Sequence, residues 1–178
     1  GFAAPTLVTA SDFRFVVIEQ LAAIEIAPAD ILIEPTAKNT AAAICAAALA
    51  LEARAPGALM LVAPSDHVIP DAELFRASVR SAIPSALNGQ IVTFGIRPNR
   101  AETGYGWLEL SQEPEVGFSL KPQKLIAFIE KPDFGILRAG GGDTCGRISK
   151  EYGDGIKCYP EAWLFIKLDD NYDKNIFY

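Results

Sequence analysis

The chain has 178 residues, half of them apolar, which is enough for one domain with a sizeable core. Its formal charge of −6, with no basic cluster, argues against a nucleic-acid surface but leaves room for a single nucleotide in a local pocket. No window reaches the roughly 18 uninterrupted apolar residues of a membrane span, and no basic region leads into an apolar segment at the start, so neither a membrane partner nor a signal peptide is expected.

Cys45, Cys145 and Cys158 are odd in number and carry no CxxC spacing. Neither a disulfide framework nor a structural zinc site is suggested, and a reduced, cytoplasmic setting follows. His67 is the one histidine, so a Ser/His/Asp triad or a multi-histidine metal site has little to be built from.

From the start, a short apolar run, Thr6 to Val8, is followed by Ser11 and Asp12, which can cap a helix carrying Phe15, Ile18, Leu21 and Ala22 at helical spacing. Ile31 to Ile33 reads as a second short strand stopped by Glu34 and Pro35. The next stretch reads as a loop, with Asn39 or Thr40 as N-cap, then an alanine-rich helix ending at Pro56 and Gly57. The stretch Ala58 to Ile69, ALMLVAPSDHVI, begins as an unbroken apolar run, which fits a strand buried on both faces of a parallel sheet. Asp71 to Asn88 follows as an amphipathic helix, with Pro84 as a kink or early break and Gly89 at its end.

Gln90 to Ile96, rich in β-branched and aromatic residues, is the next strand. The order β-α-β-α-β-α-β to this point is that of a three-layer α/β/α sandwich with a mostly parallel sheet and right-handed crossovers. A Pro- and Gly-rich loop, Arg97 to Trp107, leads to Leu108 to Leu110, the start of a hairpin, and Lys124 to Glu130 is a strand. One domain covers residues 1–178. Its tail, 140–178, changes character, because alanine recurs there only at Ala162 and a Gly140-Gly141-Gly142 run appears; Trp163 to Leu168 still reads as a strand.

Chemistry is expected in the polar loops that follow strands: Glu34 to Thr40, Pro64 to His67, Arg97 to Gly106, and Glu130 to Pro132. In a parallel sheet all four open on one edge, where α/β sheets bind ligands. Asp66, just past a strand end, is either a ligand-handling carboxylate or a turn and cap residue for the helix near Asp71. As a carboxylate it suits Mg²⁺, which takes oxygen donors and keeps several waters. His67 is read as a turn or packing residue. Asn39 and Thr40 at a helix N-terminus can hydrogen-bond a base or an anion, or serve as a plain N-cap. Gly104 and Gly106 allow close approach of a ligand or make a tight turn, Glu102 can accept from hydroxyls, and Tyr105 offers a flat wall. Glu130 and Lys131 point to opposite faces of an extended chain and are not expected to pair. They are either sugar and phosphate contacts or solvated charges.

Four motifs together, EPTAKNTAAAI (Glu34 to Ile44), VAPSDHVI (Val62 to Ile69), TFGIRPNRAETGYGWL (Thr93 to Leu108) and FIEKPD (Phe128 to Asp133), resemble the mannose-1-phosphate guanylyltransferases. The resemblance runs in order from about Pro5 to Asp133. It implies the nucleotide-diphospho-sugar transferase type of α/β sandwich and synthesis of GDP-mannose and pyrophosphate from GTP and mannose 1-phosphate. By the same resemblance Glu34, Asn39 and Thr40 face the guanine and Asp66 holds Mg²⁺. Glu102, Gly104 and Glu130 hold the mannose, and Lys131 reaches its phosphate. Asp66 and Lys131 then carry the catalytic roles. A homo-oligomer is left open.

The glycine-rich signature of the form GGSGTRLWPLSR, which opens family members, does not occur in this sequence. The 178 residues by themselves are therefore expected to turn over weakly or not at all. The alternative is a catalytically inactive nucleotidyltransferase-like module that binds a sugar nucleotide or a partner subunit.

Overall fold

The computed structural model describes residues 1–36, 39–95, 103–111 and 121–131, and the backbone of one further strand at 158–167. The chain divides into two compact units, one built on Gly1–Met60 and the other on Leu61–Lys167.

In the first unit, strand β1 (Thr6–Ala10) runs parallel to β2 (Asp30–Glu34), with Thr6 opposite Asp30 and Ala10 opposite Glu34. A parallel pair needs a crossover, and helix α1 (Arg14–Ala23) supplies it. Ser11 and Asp12 do not cap α1 as expected. They form a 3₁₀ turn, Ser11–Phe13, that runs straight into the helix, and the Arg14 guanidinium donates back to the Ser11 carbonyl at 2.9 Å. The helical spacing of Phe15, Ile18 and Leu21 produced the helix but not burial, since α1 has no buried residue and Phe15 and Ile18 are exposed. Arg14 covers part of Phe15, its guanidinium carbon 4.3 Å from the ring centroid.

Helix α2 (Thr40–Arg54) packs on both β1 and β2, its small alanine side chains allowing close approach, with Ala48 buried. The helix is tied at its C-terminal end. The Arg54 guanidinium donates to the Asp30 carboxylate at the start of β2 and, at 3.2 Å, to the Thr6 hydroxyl at the start of β1. Arg54 and Asp30 are each partly exposed, so solvent screening holds the pair to about 0.5 kcal/mol, and its main effect is to set the direction of α2. Gly57, at φ +73°, completes the stop expected at Pro56 and Gly57.

The second unit opens with β3 (Leu59–Val62), which the unit boundary divides, and continues through α3 (Ala72–Leu87) and β4 (Val92–Gly95). Only Met60 of β3 is buried; Leu59, Leu61 and Val62 are half-buried. The expected burial on both faces is thus reached at one position. Among the described pairings β3 stands at an end of its sheet, where one side lacks a neighbouring strand.

Helix α3 buries Val79, Ala82 and Ala86, a single stripe at helical spacing, and packs on β4. Asp71 is its N-cap, the carboxylate accepting from Leu74 N–H at 2.8 Å. In the first turn Arg76 donates to Glu73 and holds its carboxyl below the usual range, so this exposed pair contributes above the pH at which a free glutamate titrates and is lost on acidification. Pro84 does not break the helix. It lies in the last turn, where it removes one N–H bond to the carbonyl four residues before, and α3 still continues to Leu87. The end is a Schellman motif, with Gly89 N–H bonded to the Ala86 carbonyl at 3.0 Å and Gln90 N–H to the Ser85 carbonyl at 3.1 Å.

The remaining described strands are β5 (Trp107–Leu110), β6 (Leu125–Ile129) and β7 (Cys158–Lys167). The sheet order is β3-β7-β5-β6, with β4 also paired to β7. The pairs β4–β7, β5–β7 and β5–β6 are antiparallel. Parallel pairing was expected from the alternation of strands and helices, and it holds where a helix intervenes between β1 and β2. The described pairs of the second unit are antiparallel, and there the expectation of a mostly parallel sheet does not hold. Trp107, 1% exposed, and Leu108 anchor the core of this unit.

Gly89 adopts φ +78°, so Gly89→Ala places an L-residue in the left-handed region and is expected to lower stability by about 1 kcal/mol. A urea melt checks it; an unchanged midpoint would remove the C-cap from the account of α3.

Candidate functional site

The candidate residues of the first unit lie where β2 passes into α2. Glu34 is the last residue of β2 and is half-buried. Asn39 takes the N-cap position of α2, with extended backbone, yet its side chain makes no cap hydrogen bond. Its carbonyl accepts from Ala42 N–H at 3.0 Å, so the backbone closes the first turn and the amide is not spent on capping. Thr40 opens the helix, and both Asn39 and Thr40 are exposed. A helix start carries N–H groups without intrahelical partners and the positive end of the helix dipole. With an amide and a hydroxyl beside them, these groups can hydrogen-bond the edge of a base. The Arg54 tie at the far end of α2 fixes where this start lies relative to β1 and β2.

Asp66 belongs to the second unit. It lies in a turn at residues 65–66 that follows β3, its side chain 87% exposed. The reading in which Asp66 caps the next helix does not hold, because Asp71 does so. What remains is a turn carboxylate open to solvent at a strand end. The His67 imidazole lies beside it, Nε2 4.0 Å from Asp66 Oδ1, and is half-buried. Among the described residues no group of three or more His, Cys, Asp and Glu is assembled for a metal. The donor set fits Mg²⁺ better than a transition metal, since one exposed carboxylate can share the ion with waters and phosphate oxygens, whereas zinc requires several protein ligands.

The structure brings two of the motifs together. Antiparallel pairing of Trp107 with Ile129 places the residues that enter β5 beside those that leave β6. Gly104 and Tyr105 are exposed in the entering segment, and Glu130 and Lys131 are exposed in the leaving one. Gly106 has a packing reason for its lack of side chain: a Cβ there would overlap Cζ of Phe128. Glu102 lies outside the described residues.

Glu130 and Lys131 do pair, Nζ to Oε1 at 3.5 Å, against expectation. Alternation to opposite faces applies only while the chain stays extended. Here β6 ends at Ile129, and Lys131 turns into the left-handed region at φ +38°, which swings its side chain to the side of Glu130. Both groups are about 60% exposed, so the pair is weak and the ammonium is available to an anion that binds better. Asp71 as the true cap and Phe128 as the neighbour of Gly106 were not singled out from sequence. The first has a signal, a carboxylate three residues before Leu74 and next to a helical run; the second has none, because the contact is made across strands.

A family profile described as nucleotidyl transferase matches residues 1–141. The chain belongs to the nucleotidyl transferase family. It is 39% identical over 137 residues to a mannose-1-phosphate guanylyltransferase of Escherichia coli K12, 76% of this chain and 29% of that protein. It is 40% identical over 133 residues to the alginate biosynthesis protein AlgA of Pseudomonas aeruginosa, 75% of this chain and 27% of the relative. With the xanthan biosynthesis protein XanB of Xanthomonas campestris it shares 42% over 130 residues, 73% and 27% of the two chains. The chain thus spans less than a third of the length of these relatives.

Among solved structures, one described as mannose-6-phosphate isomerase from Helicobacter pylori superposes with a TM-score of 0.70 at 24% identity, over 92% of this chain and 56% of the other. One described as a mannose-1-phosphate geranyltransferase from Thermus thermophilus gives 0.65 at 23%, over 91% and 42%. At that identity they speak to fold alone, and they place this nucleotidyl transferase chain in the expected α/β class.

Two carboxylates five residues apart are expected to separate cleanly. Asp71→Ala should cost about 1 kcal/mol through loss of the α3 cap, whereas Asp66→Asn should leave stability within about 0.5 kcal/mol, as for an exposed turn residue. Thermal melts of the two variants check this. Lys131→Gly relieves a left-handed L-residue but adds glycine entropy to the unfolded chain, for a net gain on the order of 0.5 kcal/mol in the same melts.

Proposed function

We propose that the protein transfers a guanylyl group from GTP to mannose 1-phosphate, forming GDP-mannose and pyrophosphate. One observation carries this reading: residues 1–141 match the nucleotidyl transferase family, and that region contains the four motifs on which the likeness to mannose-1-phosphate guanylyltransferases rests. The names of the relatives, alginate and xanthan biosynthesis proteins among them, support a role in supplying an activated sugar for polysaccharide synthesis.

In the proposed reaction a phosphate oxygen of mannose 1-phosphate attacks the α-phosphorus of GTP. A new P–O bond forms as the bond to the bridging oxygen of the β-phosphate breaks, and pyrophosphate leaves with that electron pair. Such a displacement needs positioning and charge neutralisation more than a protein nucleophile. Glu34, Asn39 and Thr40 hold the guanine, the carboxylate accepting from its N–H groups and the amide and hydroxyl meeting its polar edge. Gly104 and Glu130, with Glu102, orient the sugar through its hydroxyls. Lys131 meets the sugar phosphate, exchanging its weak pairing with Glu130 for a doubly charged anion. Asp66 is the residue to hold Mg²⁺, which supplies neutralisation of the triphosphate charge when bound. No helix among the described residues is long and apolar enough to cross a membrane. A cytoplasmic setting, where nucleotides are abundant and cysteines stay reduced, suits the reaction.

Pyrophosphate release from GTP plus mannose 1-phosphate in the presence of Mg²⁺ tests the proposal, with GDP-mannose identified by mass. Chelation should abolish turnover, and Asp66→Asn should lower kcat by about a hundredfold, the scale for loss of one electrostatic contributor. Asn39→Ala should raise the KM for GTP about tenfold, the value of one lost hydrogen bond to the base. Release with another nucleoside triphosphate but not GTP would reject the guanylyl assignment.

A further inference from the structure

We propose that Phe128 is a positioning residue for the sugar-binding segment: its ring seats the backbone at Gly106 and thereby sets the distance from Gly104 to Glu130 and Lys131. The proposal rests on the reading of these residues as the sugar-phosphate site. Three observations carry it, all within the second unit.

The first is the contact itself. A Cβ built on Gly106 would meet the tip of the Phe128 ring, overlapping Cζ and lying 2.5 Å from Cε2. Gly106 is not among the glycines of positive φ, so its backbone conformation does not call for glycine. Only the approach of the ring does. The second is that the ring is not held for the sake of the core. Phe128 is 45% exposed, whereas Trp107, the residue next to Gly106, is 1% exposed. A half-exposed aromatic ring whose tip is pressed against main chain acts as a spacer under that main chain.

The third is register. Leu108 pairs with Phe128 and Trp107 with Ile129, so the entering segment, residues 104–106, runs beside the end of β6 that continues to Glu130 and Lys131. Phe128 and Glu130 are two residues apart, and β6 ends between them at Ile129. One arm of the sugar site is therefore main chain resting on the Phe128 ring, and the other begins two residues beyond that ring. A ligand held by both arms requires their separation to be constant, and a displacement near 1 Å can cost up to about a hundredfold in rate.

The test uses Phe128→Leu, Gly106→Ala and the double variant, with the KM for mannose 1-phosphate and for GTP measured separately. Phe128→Leu is expected to raise the KM for mannose 1-phosphate about tenfold and to leave that for GTP within about twofold. Gly106→Ala should do the same in the native background, but add nothing in the Phe128→Leu background, where the shorter side chain leaves room for the new methyl group. Equal movement of both KM values, no movement of either, or simple additivity of the two substitutions would overturn the proposal. Should Gly106→Ala fail to fold, Phe128→Leu alone decides through the split between the two KM values.

Wild-type turnover separates the two claims. If the wild type releases no pyrophosphate from GTP and mannose 1-phosphate, the proposed reaction fails, and the seating is then read by chymotryptic cleavage after Tyr105. Cleavage several-fold faster in Phe128→Leu than in wild type, at unchanged melting temperature, supports the seat; equal rates overturn it.

Discussion

The second unit depends on one stretch of extended backbone, Cys158–Lys167. Its ten residues pair with β5 at one end, Glu109 opposite Cys158, and with β4 at the other, Val92 opposite Phe165. β4 and β5 are separated in sequence by the segment that carries Gly104, and neither is paired with the other in the sheet order. A shared neighbour is what holds both. Backbone N–H and C=O groups must be paired when buried, and β7 supplies partners to both short strands. The register between Phe94 and Gly95 slips against β7, which bends the exit of β4 just before the polar loop begins.

From that frame the hairpin of β5 and β6 derives its direction. Trp107 is fully buried and fixes the start of β5, and β6 lies against it in register. The consequence falls on residues just outside the strands. Gly104 and Tyr105 enter at the same end of the hairpin at which Glu130 and Lys131 leave, so segments more than 20 residues apart become neighbours. The paired strands are mostly apolar, and the residues just outside them are exposed. That division is common where a scaffold must hold groups meant to meet a ligand rather than each other.

The first unit solves a similar problem with fewer residues. A two-stranded parallel sheet has little surface of its own, and α2 can lie close to it because its inward side chains are mostly methyl groups. Arg54 ties one end of the helix to both strands and leaves the other end, with Asn39 and Thr40, free of internal side-chain capping. A helix start whose side chains do not satisfy it is less stable locally and more useful to a ligand that offers acceptors.

Much of this was legible in the residues. Among the described elements, the three α-helices, the stops of α2 at Pro56 and Gly57 and of α3 at Gly89, and six of the seven strands follow from apolar periodicity and turn chemistry, which are local, and so do the positions of Glu34, Asn39, Thr40, Asp66, Glu130 and Lys131 at or beyond element ends. The last strand was legible only in part, and its partners were not, because hydrogen bonding between strands distant in sequence leaves no local mark. Tertiary structure alone decided that β7 joins β4 and β5, that β3 stands at an end among the described pairings with only Met60 buried, and that α1 is a helix without a buried residue. It also decided that Glu130 and Lys131 meet, since the alternation rule stops where the backbone leaves the extended region. The reason Gly106 is a glycine belongs to the same class. Sequence shows an absent side chain; only the fold shows the ring of Phe128 where that side chain would have been.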